Sequence, residues 1–219
     1  MAKKRIFILG AGSMARETFY IYKDLGKDND VKGFIVVHYN LKNKRIYGRC
    51  VYNAETIEKF KKDSVFICAI GSPRRKRWIE ELEQKGIKFD SIIHPSVIFS
   101  DSVKFGTGCI ICPGVVLTQN IRIGKHSIIN INSNINHDCR IGKFVTIGPG
   151  VNIAGRVKID DESLIGIGTT IIQNIKIGKG VFIGAGAVVT KDIPDNTLAL
   201  GVPAKPIRNL GISDWEKLI

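Results

Sequence analysis

His137 and Asp138 are the pair in this chain best suited to chemistry: an imidazole beside a carboxylate, inside the polar run 130–139. Such a pair can take a proton from an attacking group, with the carboxylate fixing the ring tautomer and stabilising the imidazolium. A second signal follows the apolar run Ile6-Phe7-Ile8-Leu9, where the chain reads Gly10-Ala11-Gly12-Ser13-Met14-Ala15. That G-x-G-x-x-A turn points free backbone N–H groups and a helix N-terminus at a phosphate. A third turn, Gly71-Ser72-Pro73, ends another apolar run and opens a basic stretch, 74–85. There Arg74, Arg75 and Arg77 can pair a diphosphate or stand solvated on an exposed helix.

The other reactive side chains read as structural. His38 lies in the glycine-turn half, His94 precedes Pro95, and His126 occupies an ordinary repeat corner. Cys109 and Cys112 form a C-x-x-C, but no second pair or nearby histidine completes a zinc site, so no metal is expected. Five scattered cysteines, an odd number, fit a reducing compartment.

The amino-terminal residues, 1–90, alternate strands and helices. Strands are expected to Leu9, over 31–37 and over 64–70, and helices over 14–25, 54–60 and 74–85. That order implies a small Rossmann-like parallel sheet, with ligands at the carboxyl ends of its strands. The two glycine turns lie at such ends, so Gly10, Gly12, Ser13, Gly71, Ser72 and Arg75 are the candidate ligand contacts. A nicotinamide reader would carry an acid about twenty residues past the glycines. Here that place reads Val36-Val37-His38-Tyr39. A phosphorylated or nucleotide-linked ligand therefore fits better than NAD, and a purely structural turn is the third reading.

From Ile93 to Val189 every sixth residue is apolar, and four residues after each comes a small or β-branched one, as in Cys109, Val115, Ser127 and Cys139. Glycine often follows the large residue. Hexapeptide repetition of this kind marks a parallel β-helix, three short strands and about eighteen residues to a coil. The domain spans 91–219 and packs directly on the first, since no flexible linker joins them. With Ile135 and Cys139 turned inward, His137 and Asp138 fall on an outer corner, and Cys139 is no nucleophile. One coil further on, Gly155 stacks on His137 and Arg156 on Asp138. Gly155 leaves room there, and its N–H can meet an incoming carbonyl.

The net charge of +13 suits nucleic acid, phosphorylated small molecules or a solvated lysine-rich surface. No basic helix or aromatic-laced patch gathers the charge, so nucleic acid is not the expected partner. No apolar run is long enough to span a membrane, and no signal-peptide pattern follows Met1, so a cytoplasmic protein without membrane insertion is expected.

These motifs together resemble one family. Gly10-Ala11-Gly12, Ala69-Ile70-Gly71, Ile93-His94-Pro95-Ser96, Asn136-His137-Asp138-Cys139-Arg140-Ile141-Gly142, Gly184-Ala185-Gly186-Ala187-Val188-Val189 and Gly201-Val202-Pro203-Ala204-Lys205 run through most of the chain. It resembles the sialic acid O-acetyltransferase and nucleotide-aminosugar N-acetyltransferase family of hexapeptide acyltransferases. The resemblance implies a left-handed β-helix, a homotrimer, and acetyl-CoA held between neighbouring prisms. It makes His137 the base, Asp138 its partner and Gly155 the thioester contact. Thr146, Gly184, Ala185, Lys205 and Arg208 fall near acetyl-CoA, and Asn130 near the acceptor. The amino-terminal domain would hold the nucleotide of a nucleotide-linked sugar. Members that read uridine carry aspartate where Val36 stands, and some place a second histidine where Thr146 stands. An N-acetyltransferase is the first expectation, O-acetylation of a sugar such as sialic acid the second. A non-catalytic nucleotide-binding scaffold is the third.

Overall fold

The computed structural model describes residues 5–37, 44–211, 214 and 215; His38 lies outside the described residues. Its first part is a five-stranded sheet. β1 (Arg5–Leu9), β2 (Val31–Val36), β4 (Arg49–Asn53) and β5 (Ser64–Cys68) run parallel, and β3 (Arg45–Ile46) pairs antiparallel with β4. The order is β3-β4-β2-β1-β5, so the chain changes direction across the sheet between β1 and β5. Such a switch point opens a crevice at the strands' carboxyl ends. Helix α1 (Ser13–Asp24) follows β1, and α2 (Arg75–Gln84) follows β5. The hairpin β3–β4 was not expected from the sequence, and residues 54–63 form a 3₁₀ helix rather than an α-helix.

The second part is a three-sided left-handed parallel β-helix. Its first face carries the strands Ile92–Ile93, Ile110–Ile111, Ile128–Ile129, Thr146–Ile147, Leu164–Ile165 and Phe182–Ile183. The second face includes Val116–Leu117, Asn134–Ile135 and Asn152–Ile153, and the third Arg122–Ile123, Arg140–Ile141 and Lys158–Ile159. Each strand pairs in parallel with the one a coil away, as Ile129 does with Ile147. The sixfold apolar register fills the interior and is fully buried from Ile111 to Val189. At the open amino-terminal end Phe99 remains 44% exposed, because no earlier coil covers it.

The small register has a hydrogen-bonding task. Ser127, Ser133 and Ser163 donate inward to the carbonyls of Gly142, Gly148 and Gly178 at 2.7–2.8 Å. The thiols of Cys109 and Cys139 do the same to Gly124 and Ala154, both at 3.2 Å. Cysteine here serves as a bulkier serine, which accounts for its burial. Cys112 faces the other way, into the core shared with the sheet domain, so the C-x-x-C pair does not converge.

From Gly108 to Gly186 every sixth residue has φ between 53° and 78°. This left-handed conformation is what turns each corner, and non-glycine residues there cost about 1 kcal/mol each. Asp138 is one of them, so its unusual φ is imposed by the coil and is no mark of function. The glycines after the large register have a different reason. At Gly124 an added Cβ would sit 2.5 Å from the Gly142 carbonyl carbon of the next coil. Close stacking demands glycine there, not the freedom to turn. Gly124→Ala should therefore destabilise the fold by about 1–3 kcal/mol, read as a lower Tm in thermal unfolding.

The two parts pack directly. Ile110, Cys112 and Ile128 on the first face share a core with Ile6, Ile8 and Phe19. Helix α2 lies along the corner between the third and first faces, where Lys76 pairs with Glu162 (2.8 Å) and Glu83 meets His126 (3.1 Å).

Candidate active site

His137 and Asp138 sit on the corner between the second and third faces. His137 Nδ1 and Asp138 Oδ2 are 2.8 Å apart, and both side chains are partly exposed, 42% and 45%. Asn120 Nδ2, one coil earlier, donates to the second carboxylate oxygen at 3.1 Å. The coil itself holds the pair in place: Asp138 N–H donates to Gln119 O, and Arg156 N–H to His137 O. The hydrogen bonds from His137 and Asn120 keep the Asp138 carboxyl below its usual range, so it stays ionised. With Nδ1 held by the carboxylate, Nε2 is the nitrogen left to accept a proton.

Gly155 lies against the imidazole face. A Cβ built there would come within 2.6 Å of both Cε1 and Nε2. Any other residue would displace the ring. Among the described residues no hydrogen bond engages the Gly155 N–H, which leaves it open to an acceptor beside Nε2. Cys139 is buried in the interior, behind the pair rather than beside it.

A cavity of about 620 Å³ opens at the switch point of the sheet. Gly10 and Gly12 line it, with Arg16 on the first turn of α1, Arg45 on β3, and Trp78 on α2. Helix α1 begins without a side-chain cap, so its first N–H groups are open to an anion. At Gly10 (φ 110°) a Cβ would press on Ala69 O at 3.0 Å, whereas at Gly12 it would meet open space. The sequence reading missed Arg16, although its place four residues past Gly12 was legible. Arg45 was not, because its strand is two residues long.

Ser13, Gly71, Ser72 and Arg75 do not line this cavity. Arg75, expected on an exposed helix near a diphosphate, is only 3% exposed. Its guanidinium donates to the carbonyls of His126, Val145, Gly71 and Ser72 and to Thr146 Oγ1. Thr146, expected near acetyl-CoA, is buried too, and its hydroxyl donates to Gly71 O at 2.7 Å. Both residues clamp the Gly71 turn to the β-helix and have no donor to spare. Thr146→Val leaves Arg75 short of one acceptor in a dry site and should cost about 1–3 kcal/mol, measurable by denaturant unfolding.

The remaining acetyl-CoA candidates divide between corners. Gly184 and Ala185 lie on the corner between the first and second faces. Lys205 and Arg208 project from the exposed strand Lys205–Asn209, which pairs antiparallel with Thr197–Leu200 beside the first face. Arg208 is held by Asp214 at 2.8 Å. Asn130 lies one corner away from His137, and its side chain accepts from Ile131 N–H.

His126 is structural, as expected. It is 1% exposed, stacked on Phe144 and bonded to Glu83, with Nδ1 buried and unpartnered. Burial pushes its pKa below the ordinary 6.5. The folded chain then binds fewer protons there than the unfolded one, so stability falls as pH drops below 6.5. His126→Gln should flatten that part of a Tm-against-pH profile. No group of described side chains could hold a metal ion, and no helix among them is long and apolar enough to cross a membrane.

Residues 156–191 match the family model described as bacterial transferase hexapeptide (six repeats). No curated protein matches the full sequence significantly. Among solved structures, a variant of GDP-perosamine N-acetyltransferase from Caulobacter crescentus, with CoA and GDP-perosamine, superposes with a TM-score of 0.86. It is 29% identical over 95% of this chain and 99% of that one. The acetyltransferase domain of PglB from Neisseria gonorrhoeae gives 0.85 at 28% identity, over 93% of this chain and 100% of that one. WeeI from Acinetobacter baumannii gives 0.84 at 29%, over 93% and 100%. Repeat, amino-terminal sheet and near-complete mutual coverage agree: the chain carries the hexapeptide repeat of bacterial transferases and is similar over nearly its whole length to CoA-dependent sugar N-acetyltransferases built on it.

Proposed function

We propose that this chain moves the acetyl group of acetyl-CoA to the amino group of a nucleotide-linked amino-deoxysugar, in the cytoplasm, for surface-glycan or O-antigen synthesis. The single observation that carries the chemistry is the His137–Asp138 pair laid over Gly155. The sugar amine attacks the thioester carbonyl, and His137 Nε2 takes the proton it sheds. Asp138 stabilises the imidazolium, and the Gly155 N–H receives the carbonyl oxygen as it gains charge. Collapse of the intermediate breaks the C–S bond, and the departing thiolate takes the proton back from His137. The products are the acetamido sugar and CoA. GDP-perosamine bound to a relative that superposes over nearly its whole length supports the nucleotide-sugar acceptor.

The working unit is a homotrimer. The domain of residues 1–90 rests on the first face and on the corner beneath α2, while His137 occupies the corner opposite that first face. A side of the prism spans up to about 20 Å, so an acceptor held in the sheet-domain cavity lies far from its own chain's imidazole. Gly155 and the pair Gly184–Ala185 likewise occupy different corners. A neighbouring prism brings the two corners together, with acetyl-CoA in the groove between. Sedimentation should give a trimer; a monomer that turns over acetyl-CoA would contradict this reading. Lys205, exposed on its strand, meets the CoA phosphates, and Lys205→Ala should raise KM for acetyl-CoA several-fold with kcat little changed.

The deciding experiment follows thiol release from acetyl-CoA across paired nucleotide amino-sugars and their hydroxy counterparts. Turnover confined to the amines supports N-acetylation. Turnover of the hydroxy-sugars or of sialic acid would make this an O-acetyltransferase, and none with any sugar would leave a binding scaffold.

A further inference from the structure

The three faces of the β-helix differ in the side chains they turn outward. On the first face, Ile92, Ile110 and Ile128 lie in the core shared with the sheet domain. On the second, the outward row runs from Ile98 to Val188 without a charge. On the third it reads Lys104, Arg122, Arg140, Lys158 and Lys176, a cation in every coil. Each is exposed and pairs in register with the next. At about 4.8 Å between paired strands, the row is about 19 Å long. Like charges directly opposite one another destabilise a sheet. Asp160 offsets one end of the row, 3.1 Å from Lys158 and 4.0 Å from Lys176. Among the described residues no carboxylate pairs with Arg122 or Arg140.

The row adjoins the corner that carries the chemistry. Arg140 follows Asp138 by two residues, about 7 Å along a strand. Arg122 and Lys158 are its neighbours in the coils before and after, and Lys158 follows Gly155 by three residues. In the trimer proposed above, the corners of Gly155 and Gly184 are the two edges of the uncharged second face. The third face then lies outside the contact and borders the groove. Charges of one sign lining a groove concentrate an oppositely charged ligand there and speed its encounter by a factor of about 10–10³.

Resting on the acetyl-CoA reading above, we infer that the third face is an electrostatic guide, whose cations draw the polyanionic donor to the corner of His137 and Gly155. Arg122 and Arg140, the members without a carboxylate, contribute most. They act on the arrival of the donor and not on the reaction. The row therefore sets the association rate and its dependence on salt, and leaves dissociation and the chemical step alone. The repulsion within the row is the stability given up for that field.

The test is stopped-flow binding of CoA to the whole protein, parent against Arg122→Glu. The variant should slow association about tenfold at about 10 mM salt, where screening is weak, and less than about threefold at about 0.3 M. Its dissociation rate should stay within about twofold of the parent's. A carboxylate between Lys104 and Arg140 also relieves the row, so Tm should rise by about 1–3 °C, which separates slow binding from damage to the fold. Arg140→Gln, with half the change in charge, should slow association about threefold at low salt. Lys62→Glu makes the same change in net charge as Arg122→Glu on the exposed side of the sheet domain, and should slow association less than about twofold. Equal slowing by Lys62→Glu and Arg122→Glu would assign the effect to net charge and overturn the guide. So would an unchanged association rate in Arg122→Glu and Arg140→Gln, or faster dissociation beyond about threefold, the sign of a direct contact. Those results would leave the acetyltransferase reading intact. Failure of the parent itself to bind CoA would overturn that reading, and this inference with it.

Discussion

His137→Ala is expected to lower kcat by about 10²–10⁴, the span associated with losing a general base, with the fold and assembly unchanged. The side chain is partly exposed on a corner, and its backbone carbonyl, which anchors Arg156 N–H, is untouched by truncation. No core cavity opens, so Tm should stay within about 1 °C of the parent, as for surface changes generally. Circular dichroism and sedimentation check that arm, and thiol release gives the rate.

An amine acceptor sharpens the test. If the amine arrives neutral, proton removal follows attack, and the imidazole acts partly by position. Asp138→Asn separates the two contributions, because it keeps the shape and removes the charge beside Nδ1. A large kcat loss in both variants identifies proton transfer by the pair. A loss confined to His137→Ala would make His137 a docking surface for the acceptor. Near-normal kcat/KM for His137→Ala at every pH would remove the pair from the mechanism altogether. His126 offers no fallback, since it is buried between Phe89 and Phe144 and cannot reach a substrate.

The parts of this molecule that were legible in its sequence share one property: they repeat. A sixfold period fixes which residues face inward, and a coil of fixed length makes stacking neighbours computable by counting. Gly155 against His137 was foreseeable for that reason. What escaped the sequence depends on contacts with no period. Arg75 reads as one more exposed cation in a basic helix until the β-helix supplies it with the carbonyls of His126 and Val145. The same holds for Thr146, which reads as a residue near acetyl-CoA until the Gly71 turn lies over its hydroxyl. Arg45 was hidden because two-residue strands such as β3 leave no pattern to detect. The two glycine turns were visible, yet Ser13 and Ser72 do not line the cavity, since a turn's sequence does not reveal which of its residues meets the ligand.

Complementation between two inactive variants should restore activity, and this is the larger test of the whole arrangement. Gly12→Val fills open space at the cavity wall and should abolish nucleotide-sugar binding while sparing the fold. His137→Ala leaves that cavity intact and removes the base. If each site joins one chain's cavity to a neighbour's His137, a chain of each type can form a whole site between them. Random mixing in a cyclic trimer gives the productive pairing at about one junction in four. Co-expressed variants should therefore show roughly a quarter of parental activity, from parents that each show about 1% or less. The ratio of the two chains in the mixed trimer, read by mass spectrometry, fixes the expected fraction. If cavity and imidazole of the same chain work together, every site in the mixture carries one lesion, and activity stays at the level of the variants alone. Co-purification of the two chains with no recovered activity would place the whole site within one subunit and overturn the shared-site assembly, since mixing would then be proven and complementation absent.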